Sequence, residues 1–208
     1  MLMRLMKTCE YAGAPFEQAR SHPWTDATGN PLFRYYDLTA APEHIRTSLE
    51  DFRPWAHYAA IEDFYRLLES LNHLGSTFES NDCAFSGPEA NHQPAMPKTF
   101  QCSGRVMLLF RAIERNTRLG GVEQLKNQLH LELAPLDPRF EWGIIGTTLV
   151  PTRYLALGVG DQGDNQLGSQ LMISFWVWGD TEADTMVNLK RLFKSLARAL
   201  ANLSSIPQ

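Results

Sequence analysis

The chain has 208 residues, 44% apolar and 20% charged, enough for one substantial core, since a chain of this size buries about 70% of its unfolded surface. Gly and Pro counts of 14 and 12 exclude collagen-like and low-complexity classes, and a formal charge of −4 argues against a surface built mainly to neutralise phosphates. Nucleic acid is therefore an unlikely partner.

The N-terminal stretch alternates Met1, Met3 and Leu5 with Leu2, Arg4 and Met6, the pattern of a short strand. Arg4 and Lys7 interrupt its apolar run, so it lacks the h-region of a signal peptide, and no later segment reaches the 18 apolar residues of a membrane span. No membrane association and a cytoplasmic location are expected. Cys9, Cys83 and Cys102 leave at least one thiol unpaired, which suits a reducing compartment. Residues 21–33 are turn-rich around Gly29-Asn30-Pro31, and "LFRYYDL" reads as a second strand.

Thr39 stands where a helix cap is wanted, and Ile45, Leu49 and Phe52 recur on one helical face until Pro54. A second helix carries the stripe Ile61, Phe64, Tyr65, Leu68, Leu71 and Leu74, with Gly75 placed for a left-handed terminator. The stretch 76–99 then fits neither period. It holds Cys83, His92 and three prolines, and at this length an ordered irregular loop is expected to carry function.

"FQCSGRVMLLFRAI" reads as a strand covered on both sides. Gly120-Gly121 opens a helix over 121–133 that Pro135 ends. "EWGIIGTTLV", "RYLALGV" and "SQLMISFWVWG" read as a three-strand antiparallel meander, with a turn at Pro151-Thr152 and another through "GDQGDNQLG". The last helix, about 181–203, begins with the capping pair Thr181 and Asp184 and buries Met186, Val187, Leu189, Leu192, Phe193, Leu196, Leu200 and Leu203. Together these elements predict a single α+β domain over 1–208. Its antiparallel sheet, the meander plus the central strand, packs against amphipathic helices.

The chemical motifs are incomplete. Gly158, Gly160 and Gly163 spell G-x-G-x-x-G, but a strand rather than a helix follows, so no dinucleotide site is expected. Cys83, His92 and Cys102, with Glu79 or Asp82, lie too far apart in the chain for the tight knuckles of structural zinc, and neither metal nor cofactor is predicted. A thiol nucleophile at Cys83 would need His92 as base, with Asp82 nearby, brought together by a folded loop; Ser86 is a weaker nucleophile. The carboxylate pairs Glu50-Asp51, Glu62-Asp63 and Glu182/Asp184, and the basic row Lys190, Lys194, Arg198, read as solvated helix faces.

What stands out is "ISFWVWG": Phe175 points to one side of its strand, Trp176 and Trp178 to the other. An apolar face left open in a monomer would be unusual. The expected function is thus non-catalytic binding or assembly through protein–protein contacts, as a homo-oligomer, with Phe175, Trp176 and Trp178 at the interface. The alternative is a small enzyme or ligand-binding domain with a pocket by 76–99, using Cys83 and His92.

Overall fold

The computed structural model describes residues 6–10, 20–22, 38–135, 142–154 and 166–205. Its strands are β1 (Met6–Glu10), β2 (Arg20–His22), β3 (Phe78–Ala90), β4 (Phe100–Phe110), β5 (Gly143–Tyr154) and β6 (Gln166–Gly179). They lie in one sheet in the order β1-β5-β6-β4-β3, with β2 also on β5. From β5 to β3 the neighbours are antiparallel, whereas β1 and β2 run parallel to β5. The helices are α1 (His44–Thr47), α2 (Ala59–Asn72), α3 (Ile113–Thr117), α4 (Gly121–Leu133) and the long α5 (Glu182–Ser205). The fold class is α+β, as the order of sequence signals implies.

The stretch 76–99 departs most from expectation: it is not irregular, because thirteen of its residues form β3 at the edge of the sheet. The pairing of β3 with β4 shifts between Ser80 and Asp82 and again between Ser86 and Glu89. Each shift inserts unpaired residues and reverses which side chains face the core, so the period-two signal is lost twice. Pro88 falls inside the second shift, where no ladder hydrogen bond is required. At the first, the Asn72 side chain accepts the Ser80 N–H at 3.1 Å and donates to Ser80 Oγ at 2.8 Å and the Leu68 carbonyl at 2.9 Å. The hairpin beyond β3 closes through Asn91, whose Nδ2 donates to the Met96 and Lys98 carbonyls, both at 2.8 Å.

The meander is corrected in a similar way. β5 continues through Pro151-Thr152 to Tyr154 instead of turning there. β1 pairs with β5 over Gly143–Thr147 and β2 over Thr152–Tyr154. Pro151 sits in the gap between those partners, where its missing N–H costs no bond. The rest of "RYLALGV" and the G-x-G-x-x-G motif lie outside the described residues, as do Met1–Leu5 and most of "LFRYYDL". The expected N-terminal strand overlaps β1 only at Met6.

Among the helices, α4 matches its predicted bounds, and α5 starts as predicted, with the Asp184 N–H donating to Thr181 Oγ at 3.1 Å. The helix expected to run up to Pro54 shrinks to α1, followed by turns and a 3₁₀ turn at Arg53–Trp55. Ile45 and Phe52 are buried nonetheless. Gly75 does not take the left-handed conformation expected of it; instead His73 leaves α2 with an extended backbone. Leu74 and Val187 are exposed, not core residues.

Helices α2, α4 and α5 share one core with the inner sides of β3, β4, β5 and β6. Five phenyl rings run through it. Phe85 stacks on Phe52 at 5.0 Å between centroids and Phe52 on Phe64 at 4.6 Å; Phe64 meets Phe193 at a tilt at 4.8 Å, and Phe193 meets Phe175 edge-on at 5.1 Å. The series links β3, the segment before α2, α2, α5 and β6. Its two ends, Phe85 and Phe175, flank Gly104 of β4 in cross-strand register.

β6 is covered on both sides, as its composition demands. Ile173, Phe175 and Val177 face the helices, while on the opposite side Met172 and Trp178 are also buried, Trp178 to 1%. For Phe175 and Trp178 this burial is complete within a single chain. The expected interface is therefore corrected at Phe175 and Trp178, which offer no surface to a partner, and Trp176 is left half-buried.

Candidate functional site

Cys83, Asp82 and His92 do not come together. Cys83 and Asp82 are consecutive strand residues and project to opposite faces of the sheet. Cys83 packs against the helix-side core, whereas Asp82 accepts from Arg105 Nε at 3.1 Å on the other face. His92 is exposed beyond the end of β3, roughly 25 Å from Cys83 at the rise of an extended strand.

The thiol is also in the wrong state for attack. Burial raises the Cys83 pKa well above the ordinary thiol value, and the Asp82 and Asp51 carboxylates push it further up. A neutral thiol is a poor nucleophile. Peptide-mapped alkylation with iodoacetamide at pH 8 should label Cys83 roughly 100-fold more slowly in the native protein than in denaturant. Equal rates in the two states would contradict this assignment.

Cys102 is fully buried on β4, with Sγ 3.9 Å from Met186 Sδ. Among the described residues no cluster of His, Cys, Asp and Glu has the makings of a metal site, and no helix is long and apolar enough to cross a membrane.

A concavity lies elsewhere, between α2 and α5 on the outside of the helix layer. It encloses about 690 Å³. Leu67, Leu71, Phe193 and Leu200 line it and are themselves buried, so they make an apolar floor. Ala197, Ala201, Ser70 and Ser204 add small side chains that leave room above that floor. Asp63, Arg66, Glu69, His73 and Lys194 supply the charged and polar lining.

Those charges are not equivalent. Arg66 Nε binds Glu62 at 3.0 Å, and Glu69 is held by Arg46 Nε at 2.7 Å. Arg46 also binds Glu62, and hydrogen bonds from it are the main cause holding that carboxyl below its ordinary 4.5. His73 Nδ1 accepts the Gly75 N–H at 3.1 Å, which leaves Asp63 and Lys194. Asp63 Oδ2 is shut off from water with no hydrogen-bond partner, and among the described residues neither side chain has an ion partner.

The pair was within reach of the sequence. Asp63 precedes Phe64 and Lys194 follows Phe193, so each stands beside a core residue on an amphipathic helix. What the sequence lacks is the statement that these two helices are neighbours. Comparison with known proteins finds no matching family model, no similar curated protein and no similar solved structure.

Proposed function

We propose that this protein works by self-association and contact with proteins rather than by catalysis. The observation that carries the reading is the cleft of about 690 Å³ between α2 and α5, where exposed Ser70, Ala201 and Ser204 leave room and Asp63 and Lys194 stand on opposite sides without ion partners among the described residues. A concave face with small residues at its rim and unpaired charges on its two sides offers a partner both room and polar complementarity. The dispersal of Cys83, Asp82 and His92 removes the particular catalytic arrangement that the sequence suggested.

Sedimentation velocity on the full chain tests it. Between about 1 and 100 µM the weight-average sedimentation coefficient should rise with concentration. A monomer at every concentration would overturn the proposal.

A further inference from the structure

We infer that the occupant of the α2–α5 cleft is the same cleft of a second copy, docked about a two-fold axis that runs along the groove. This rests on the self-association proposed above and says where and how it happens.

The argument is one of charge and symmetry. Phe64 of α2 meets Phe193 of α5 at a tilt, 4.8 Å between centroids, so their sequence neighbours Asp63 and Lys194 stand at about the same height on the two sides of the groove. They do not pair with each other, although both line it. A two-fold axis along the groove lays α2 of each copy over α5 of the other, because an isologous contact sets residue i against j and j against i. Asp63 of each copy then meets Lys194 of the other, twice per dimer.

The surrounding charges agree. On α2, Glu62 and Glu69 are already held by Arg46, which leaves Asp63 as the carboxylate facing the groove, whereas α5 carries Lys190, Lys194 and Arg198, of which Lys194 lines it. Asp63 over Lys194 is complementary in both halves of the dimer. The alternative axis, across the groove, would stack α2 on α2 and α5 on α5, placing like charges together.

Charge exchange tests this in the full-length protein, read by sedimentation equilibrium. Asp63→Lys alone and Lys194→Glu alone each convert two attractions into two repulsions, and each should raise the dimer Kd by about tenfold or more. The double variant Asp63→Lys/Lys194→Glu restores both pairs with inverted sign and should return Kd to within about threefold of the parent. Lys194 is exposed, so Lys194→Glu perturbs no packing, and recovery in the double variant rules out misfolding as the cause of the losses.

Association that ignores the single exchanges, or a double variant as weak as the singles, would overturn the cleft as the interface while leaving self-association standing. A chain monomeric at roughly 100 µM would overturn both, and would assign the groove to a different protein or a small amphipathic ligand.

Discussion

Phe193→Ala should cost the fold about 4 kcal/mol. Phe193 is fully buried and is the ring through which α5 touches both its neighbour helix and the sheet, at 4.8 Å from Phe64 and 5.1 Å from Phe175. Removing it takes away the transfer free energy of a phenyl group and leaves a void between three elements that cannot all close upon it. The two ring contacts add to the loss, since aromatic pairs contribute about 0.5–1.5 kcal/mol beyond their buried area. Urea unfolding followed by circular dichroism, at a concentration below association, measures the change as a lowered midpoint at unchanged slope. A loss under about 1 kcal/mol would mean that the rings are loosely packed and that the series from Phe85 to Phe175 is not a structural unit.

The second large effect is expected at Gly104. A Cβ there would lie 2.4 Å from Phe175 Cζ and 2.5 Å from the Ala84 carbonyl oxygen. The ring could swing away, but the carbonyl belongs to the backbone of the adjacent strand and is held by the β3–β4 ladder. Gly104→Val should therefore destabilise by about 3 kcal/mol, although valine is a far better strand former than glycine. The sign separates the two influences. If intrinsic strand preference governed this position, the variant would be more stable than the parent. Part of the loss should return when Phe175→Leu is added, with a coupling of about 1 kcal/mol or more, because the two side chains compete for one space. Strictly additive effects would show that the clash lies only with Ala84.

How much of this was readable in the sequence depended on whether a single period ran unbroken. In α5 it does: Met186, Leu189, Phe193, Leu196 and Leu200 keep one face, the Thr181 cap precedes them, and the helix is found where its pattern lies. β4 and α4 are legible for the same reason. β3 was not, because two register shifts reverse its faces at Ser80–Asp82 and Ser86–Glu89, and the compensating bond from Asn72 comes from a residue eight positions away. Pro151 misled for a related reason: a proline reads as a turn, and only the gap between β1 and β2 makes it harmless within a strand.

The candidate site divides along the same line. That Asp63 and Lys194 border apolar stripes follows from helical geometry, and that "ISFWVWG" needs cover on both faces follows from the alternation of a strand; local periodicity is enough for each. Which helix lies beside which, that Trp178 is already buried within one chain, and that Cys83 and His92 end up far apart were settled only by tertiary packing. The reason is that sequence order specifies the neighbours of a residue along an element, whereas a cleft, a covered face or a catalytic pair depends on contacts between elements distant in the chain.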